Sequence, residues 1–349
     1  MGVELHTIHS EIYSEAAQFL AQFPNEKRSV GFWRARFDLW WDENAAFSEE
    51  YDRGWILRNR DHIVGFMGNI PLEIQFNHSP KKVFSSTTWR VLPEYRKHSM
   101  KLMFKFMGNA EDTVLFNTTP NREVRAVLRA FKFELIPAYS RSVTVITINS
   151  PRAYQEKLQR LPRFLRPCLA PFQAFTKVLD IDLPRPELQV RSIEHAGEDF
   201  DQLWVKTKSV YANTNIRNSR WINWYCNQDN AFQKKLYGCY REEELAGFCI
   251  TWNPKGNEIR CLDIWSHPED RLAISALVTK MIQEAQECRA TRLFIPHFSR
   301  SLEQHLIEKD FGEIRPRERN DFFKMAKSLD WTSDRDSSYF TTAQGDVGL

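Results

Sequence analysis

The stretch VLPEYRKHSMKL, from Val91 to Leu102, has the outline of a loop that joins a β-strand to a helix and binds a phosphate group. Its apolar start is typical of a strand, its Pro-Glu pair of a turn, and the residues that follow of an amphipathic helix. Such loops usually contain glycine, because glycine lets the backbone approach a phosphate closely. This stretch contains none, so its interpretation depends on the rest of the chain.

The same outline recurs in the second half of the chain as HPEDRLAISAL, residues 267–277. Pro, Glu, Arg and Leu stand at identical offsets in the two stretches. Four further blocks recur in the same order, pairing 37–47 with 221–232, 54–71 with 236–254, 113–121 with 292–300, and 127–137 with 306–316. Five collinear matches indicate tandem copies of one fold.

Each copy begins with a helical part, followed by a hairpin with a charged turn, a third strand and a strand that ends in the Pro-Glu turn. A helix, a short strand, a second helix and a last strand follow. Mostly antiparallel strands followed by strand, helix and strand predict an α+β unit with a mixed sheet. We predict an N-terminal domain at 1–150, a basic amphipathic linker at 151–186, a C-terminal domain at 187–330 and a loosely ordered tail at 331–349.

Composition limits the class of protein. A length of 349 residues suits two domains of about 150 residues each. The formal charge of +3 is small, which argues against nucleic acid as a partner. The six cysteines form no C-x-x-C pair and the N-terminus has no secretory pattern, so we expect reduced thiols in a cytoplasmic protein. The nine histidines show no metal-ligand spacing, and no metal is expected.

The linker at 151–186 carries basic residues between Leu and Phe side chains. A basic amphipathic helix of this kind can lie on an anionic membrane surface. It can equally connect two domains, with its apolar face packed on both, and its prolines interrupt any long helix. We favour the connector and keep peripheral membrane contact as the alternative.

The order of the blocks resembles the GCN5-related N-acetyltransferase superfamily over nearly all of both halves. In that family the fourth strand ends in V-x-P-x-Y-R-x-x-G-x-G/A, whose backbone amides and helix N-terminus bind the pyrophosphate of acetyl-CoA. The first copy matches this motif at Val91, Pro93, Tyr95 and Arg96, and has Ser99 and Lys101 at the glycine positions. The second copy matches at Pro268, Arg271 and Ala276, and has Asp270 for the tyrosine and Ile274 for the first glycine.

The resemblance implies an acyl-CoA cosubstrate, and local charge favours the first copy as its site. Ser99 is small and can donate a hydrogen bond, whereas Ile274 cannot, and Asp270 brings negative charge towards an anion. The alternative is a solvated helix N-terminus without a ligand, and Asn121 can simply cap the next helix. The predicted cofactor-binding residues are Val91, Arg96, Lys97, His98, Ser99, Met100, Lys101, Asn117 and Asn121.

The implied reaction is attack of an amine on the thioester of acetyl-CoA or another acyl-CoA. Many family members use a tyrosine as the acid after the fifth strand, but here that position is Leu128 in the first copy and Leu306 in the second. Tyr139 is a candidate substitute, although it can also be an ordinary half-buried aromatic. Glu73 and Asp263, each on a predicted strand, are candidate bases, although strand carboxylates often face solvent.

Three functions remain open at this point. The first is an N-acyltransferase acting on a small-molecule or glycan amine, such as an amino sugar, as the resemblance implies. The second is a Fem-like aminoacyl-tRNA-dependent transferase, which the small net charge argues against. The third is a catalytically silent binding module, favoured by the missing tyrosines and glycines. Trp40, Trp41, Trp221 and Trp224 can stack on a sugar or pack in a core.

Overall fold

The computed structural model describes residues 2–110, 113–118, 120–136, 142–148, 187–226, 234–254, 256–316, 322–325, 336–341 and 343. Within these residues the strands are, in chain order, β1 (Glu4–Thr7), β2 (Gly54–Asn59), β3 (His62–Phe76), β4 (Ser79–Val91), β5 (Val114–Asn117), β6 (Glu134–Ile136), β7 (Ser142–Thr147), β8 (Leu188–Ile193), β9 (Asn213–Asn215), β10 (Lys235–Arg241), β11 (Glu244–Trp252), β12 (Glu258–Ser266), β13 (Arg292–Pro296), β14 (Glu313–Pro316), β15 (Phe322–Met325) and β16 (Ser338–Tyr339). The α-helices are α1 (Tyr13–Ala21), α2 (Val30–Phe37), α3 (Ser99–Met107), α4 (Arg122–Ala130), α5 (Glu198–Thr207), α6 (Ser219–Tyr225), α7 (Arg271–Glu287) and α8 (Arg300–Glu308). This mixture of helices and mostly antiparallel strands confirms the predicted α+β class.

Two compact units divide these elements, and neither unit is one continuous stretch of chain. The first consists of Met1–Ala138, Tyr211–Ala231 and Arg319–Leu349, and the second of Tyr139–Val210 and Phe232–Glu318. The sequence predicts continuous domains at 1–150 and 187–330, whereas segments of each half belong to the other unit. The predicted linker at 151–186 lies outside the described residues. In the described part of the chain, no helix is long and apolar enough to cross a membrane.

The sheet of the first unit has the strand order β1-β2-β3-β4-β5-β15-β6, and β9 pairs with both β3 and β16. Along the main path every neighbouring pair is antiparallel except β4 and β5, which are parallel and are connected through α3. The second unit repeats this plan in the order β14-β7-β13-β12-β11-β10-β8, with β12 and β13 parallel and connected through α7. The repeat predicted from the sequence is therefore a repeat of structure.

The last strands of the two copies are exchanged. β15, from the end of the second copy, lies between β5 and β6 of the first sheet. β7, from the end of the first copy, lies between β13 and β14 of the second sheet. Each sheet is therefore completed by a strand from the other half of the sequence, which explains why the units are discontinuous.

Part of the C-terminal stretch is packed into the first unit. Ser338 and Tyr339 form β16 beside β9, and Phe340, Thr341 and Ala343 are buried. We predicted a loosely ordered tail at 331–349 from its small and polar residues; within it, the structure describes 336–341 and 343, and most of these side chains are buried. The apolar Tyr339 and Phe340 side chains outweigh their polar neighbours, since Phe340 contacts Phe76 and Tyr339 contacts Tyr211.

One face of the first sheet is covered by α3 and α4. Helix α3 buries Leu102, Met103 and Phe106 in a cluster that also includes Leu128, at the end of α4, and Phe323 of β15. Both helices therefore cover the same face of the sheet.

An aromatic cluster lies around the residues that follow α2. Phe37 stacks on Trp41 and on Phe66, with ring centroids 5.2 and 5.7 Å apart. Trp40 and Trp41 are fully buried in this cluster. Their role is therefore packing in the core, and they do not offer a surface for a sugar.

Candidate acyl-donor site

The parallel strands of the first unit separate before β4 ends. Their pairing runs from Val83 opposite Val114 to Ser85 opposite Phe116, and β5 ends one residue later at Asn117. β4 continues to Val91 without a neighbour on that side among the described residues. The gap between the separating strands exposes backbone groups of β4 that an extended ligand can bind.

A β-bulge reshapes β4 where this gap begins. Phe66 pairs with Arg90 and Gly68 with Thr87, so that two residues of β4, Thr88 and Trp89, stand opposite one residue of β3. Thr88 has a φ of 53°, which is strained for a β-branched residue. The bulge turns the β4 backbone next to the gap, the region where the resemblance places the donor for the thioester oxygen.

The loop after β4 is wound more tightly than its sequence suggests. Pro93–His98 form a 3-10 helix that runs directly into α3 at Ser99, and Tyr95 N donates to Leu92 O at 2.9 Å. Tyr95 is held from its other end, where Asn59 Nδ2 donates to the hydroxyl at 2.8 Å. Because 3-10 amides bond to carbonyls three residues earlier, only the first amides of this turn remain available to an anion.

Some side chains predicted to bind the cofactor are accessible to a ligand, and others are packed on the core. Arg96 and Lys97 are exposed. Ser99 is half-buried at the junction of the 3-10 turn and α3, where its backbone N–H donates to Arg96 O, so its side chain is the part that can reach a ligand. Val91 and Met100 pack on the core of the first unit, so only their backbones remain for a ligand.

Lys101 differs from its prediction, because its Nζ donates to Val3 O at 2.7 Å. The ammonium group is therefore occupied by a backbone carbonyl, although it still contributes to the local potential. Desolvation, and then the positive charges of Lys101 and Lys97, lower the pKa of His98 below its ordinary value. The loop is thus an electropositive region even though Lys101 is tethered.

Asn117 at the end of β5 carries an unpaired buried atom. Its Nδ2 donates to Ser86 Oγ at 2.9 Å, while its Oδ1 is buried and has no hydrogen-bond partner among the described residues. A buried polar atom without a partner costs about 1–3 kcal/mol. Asn117 Oδ1 is therefore an acceptor that an N–H group of a ligand in the gap could use, and its cofactor-binding role stays a prediction.

Asn121 acts as the N-cap of α4, since its Oδ1 accepts a hydrogen bond from Val124 N at 2.8 Å. We expect Asn121→Ala to destabilise the first unit by about 1 kcal/mol, because this amide loses its partner. Urea unfolding measures the change, and Asn121→Asp is the control because it keeps the cap. Equal stability of Asn121→Ala and the parent chain would contradict the capping role.

The corresponding helix start in the second unit is filled by its own side chain. Asp270 accepts a hydrogen bond from Ala273 N at 3.1 Å as the N-cap of α7. Arg241 Nη2 donates to both oxygens of the same carboxylate, at 3.1 and 3.0 Å, and Arg271 is paired with Glu308. A carboxylate already occupies the position that a phosphate would take, so this helix start is closed to an anionic ligand.

The two described candidates for the base belong to different units. Tyr139 lies outside the described residues. Glu73 is an exposed residue of β3 in the first unit, and Asp263 is fully buried in β12 of the second unit. Leu128 and Leu306, at the positions of the usual acid, are both buried in cores.

Glu73 lies at a small pocket of the first unit that the sequence did not reveal. The pocket is lined by Asn44, Ala45, Ala46, Leu72, Glu73, Ile216, Asn218, Arg220, Trp221 and Trp224. Its amides are already engaged, since Asn44 Nδ2 donates to Trp40 O and Pro71 O, and Asn218 Oδ1 caps α6. The segment 216–224 comes from the other half of the sequence, so no local pattern predicts this arrangement.

His297 has a structural environment. Its Nε2 and Thr144 Oγ1 are 2.7 Å apart, its Nδ1 and Glu303 Oε1 are 2.9 Å apart, and the ring is buried. It therefore fastens β7 to the second sheet. Within the described ranges, no three His, Cys, Asp or Glu side chains converge as metal ligands would.

Solved structures show what this architecture is similar to. No family model matches the chain, and no curated protein matches it in sequence. A probable N-acyltransferase from Enterococcus faecalis is 11% identical with a TM-score of 0.55, over 84% of this chain and 65% of its own. A GCN5-related N-acetyltransferase from Anabaena variabilis is 9% identical with a TM-score of 0.56, over 93% and 72%. Saccharomyces cerevisiae N-myristoyltransferase, solved with bound myristoyl-CoA, is 12% identical with a TM-score of 0.55, over 96% and 87%.

At these identities the likeness establishes the fold. The chain has the fold of the GCN5-related N-acetyltransferases, as the resemblance of its sequence blocks predicts. Its two sheets are compatible with a tandem arrangement of that fold. The chain covers slightly less than two thirds of the Enterococcus faecalis protein.

Proposed function

We propose that the protein is an acyl-CoA-dependent N-acyltransferase whose first unit binds the acyl donor. The observation that carries this proposal is the difference between the two helix starts. The start of α3 has basic neighbours and no side-chain cap, and Ser99 there is half-buried, whereas the start of α7 is capped by Asp270. An anionic donor is therefore accepted by the first unit and rejected by the second.

The gap between β4 and β5 supplies the second part of the proposal. A thioester arm lying beside β4 would reach from the loop at Pro93–His98 towards the bulge at Thr88. The amine nitrogen of the acceptor forms the new bond to the acyl carbon, and the C–S bond breaks as the thiolate leaves. Backbone amides of β4 beside the bulge stabilise the oxygen that becomes negative during this attack.

Acetyl-CoA is the proposed donor, and a small-molecule or glycan amine in the cytoplasm is the proposed acceptor. A small amine acceptor does not require a strongly charged binding surface, and this agrees with the small net charge of the chain. Glu73 and Asp263 as base and Tyr139 as acid remain proposals without support from the geometry. Glu73 stands opposite Lys82, five residues along β3 from Gly68 at the bulge, Asp263 is fully buried in the other unit, and Tyr139 lies outside the described residues.

Calorimetric titration with acetyl-CoA tests the donor site. We expect Arg96→Ala with Ser99→Glu to weaken binding by roughly 100-fold or more, because two interactions with a charged ligand are worth about 1.5–3 kcal/mol each. A glutamate in the first turn of α3 favours the helix, so the loss cannot be explained by unfolding of α3.

Arg271→Ala is the matched control, since Arg271 holds the same offset in the second copy and is exposed. It should leave acetyl-CoA affinity within about twofold, a change of less than 0.5 kcal/mol. Saturable binding that disappears in the Arg271 variant and persists in the Arg96 variant would overturn the choice of unit. Absence of binding by any acyl-CoA would overturn the proposed donor.

A catalytically silent module is the second candidate, because the usual acid positions are buried leucines in both units. It predicts acetyl-CoA binding without acyl transfer. Mass spectrometry of a panel of amines and amino sugars incubated with acetyl-CoA separates the two, since the enzyme adds an acetyl group to one of them.

A further inference from the structure

The outer surface of the first unit beside the donor loop is a basic face. We use this name for the exposed sides of the turn Pro93–His98, of α3 and of the segment from α4 to Lys132. Both helices cover the same face of the sheet, and they meet where Phe104 contacts Phe131 with ring centroids 5.6 Å apart. The surface is therefore continuous from the loop to the end of α4.

The cations of this face outnumber its exposed carboxylates, which are Glu94 in the turn and Glu123 in α4. None of five exposed side chains forms an ion pair with a carboxylate among the described residues, namely Arg96, Lys97, Arg122, Arg129 and Lys132. Lys105 approaches Asp52 only at 3.9 Å. Cations that the fold leaves unpaired create a positive potential that attracts an acidic partner.

An apolar contact stands within the basic face. Phe104 is 58% exposed, and Phe131 lies half-buried beside it. An exposed aromatic side chain among basic residues is the usual composition of a protein interface, in which the ring is an anchor and the charges form the rim.

Beside the helix start of the second unit, two described cations are paired with carboxylates. Arg241 is paired with Asp270, and Arg271 with Glu308, so these two cations are neutralised. The two units share one repeated pattern, and among the described residues the unpaired cations stand beside the helix start that has no acidic cap. The unpaired cations and the proposed donor-binding helix start therefore lie in the same unit, which links the basic face to delivery of the donor.

The tight winding of the loop limits how many phosphates it can hold. The 3-10 turn leaves few amides unpaired, and no glycine allows close approach of the backbone. Coenzyme A presents a pyrophosphate, whereas a phosphopantetheine arm attached to a carrier protein presents a single phosphodiester. The phosphate that adjoins the pantetheine arm is common to both donors, so a loop with few free amides can hold either of them at this phosphate.

We propose that the basic face docks an acidic carrier protein that bears the acyl group on a phosphopantetheine arm. This inference rests on the proposed function, because the arm enters the same loop and the same gap. The carrier contacts Phe104 through apolar groups and the surrounding cations through its carboxylates. The amine of the acceptor gains the acyl group, and the arm leaves as a free thiol with the proton that the amine loses.

An anionic membrane or a tRNA fits the same surface less well. A membrane lying on the basic face would cover Arg96 and Lys97 and block the donor from its loop. A tRNA would engage the cations and leave Phe104 without an apolar partner, and the chain as a whole has a charge of only +3.

The test compares binding of two donors by the full chain. An acyl carrier protein of fatty-acid synthesis, loaded with acetyl-phosphopantetheine, and acetyl-CoA are titrated separately by calorimetry. We expect Arg122→Glu with Arg129→Glu to weaken carrier binding by roughly 10-fold or more, because the interface charges become repulsive. Acetyl-CoA affinity should stay within about twofold, since neither residue belongs to the loop. Arg60→Glu with Lys81→Glu, two exposed sites on hairpins of the same unit, is the matched control for net charge.

Weaker carrier binding in the α4 variant alone supports the docking face. The docking face is overturned if acetyl-CoA binds the parent chain but the carrier does not bind. It is also overturned if the carrier binds the parent chain, the α4 variant and the control variant equally. Either result leaves the proposed function intact. Failure of both donors to bind overturns both. Tighter binding of total tRNA or of phosphatidylserine vesicles, lost in the α4 variant, also overturns the carrier proposal.

Discussion

Phe323→Ala is expected to destabilise the first unit by about 3–5 kcal/mol, although Phe323 lies in the last tenth of the chain. Phe323 is 1% exposed and belongs to the cluster that includes Leu102 and Phe106 of α3. Its strand pairs with Asn117 on one side and Leu135 on the other. The substitution therefore leaves a cavity in the first core and loosens the contact between β5 and β6.

Hydrogen exchange monitored by mass spectrometry locates the effect. We expect faster exchange of amides in β5 and β6, with unchanged protection in β10–β12, because β15 completes the first sheet. Ile146→Ala in β7 is the reciprocal control, since this 1% exposed side chain belongs to the second unit. It should loosen β13 and β14 instead. If Phe323→Ala loosened β13 and β14, the strand exchange would be wrong.

The sequence predicted the repeat and the fold but not this exchange, and the reason is physical. β7 and β15 follow the same elements in two copies of one pattern, so each strand suits the open position in either sheet. Hydrophobic periodicity determines that a strand is buried, and it does not determine which of two similar sheets buries it. The choice depends on tertiary packing, such as that of Phe323 on α3.

The candidate site was predictable where it depends on charge, and less so where it depends on neighbours. Asp270 was expected to repel an anion, and the structure places it as the cap of α7. The bond from Lys101 to Val3 joins residues far apart in sequence, as does the bond from Asn59 to Tyr95. Thr88 carries no sequence signal for its positive φ, because the bulge arises from the pairing of β4 with β3.

Gly54→Ala is expected to destabilise the first unit by about 3–5 kcal/mol, because strain and overlap act together. Gly54 has a φ of 136°, a conformation that residues with a Cβ rarely adopt. An added Cβ would overlap Met67 O and lie 2.8 Å from Gly68 Cα. Because both contacts are backbone atoms of β3, no side-chain rotation can relieve them.

The consequence reaches the donor site through strand pairing. Gly54 stands opposite Gly68, which pairs with Thr87 beside the bulge of β4. We therefore expect the Gly54 variant to lower acetyl-CoA affinity as well as stability, as urea unfolding and calorimetric titration would measure. Gly108→Ala is the control, since no atom lies within 4 Å of its added Cβ and its φ is −57°. That variant should gain about 0.4–1 kcal/mol from the reduced freedom of the unfolded chain. Equal stability of the two variants would show that β2 and β3 do not approach as closely at Gly54 as the pairing requires.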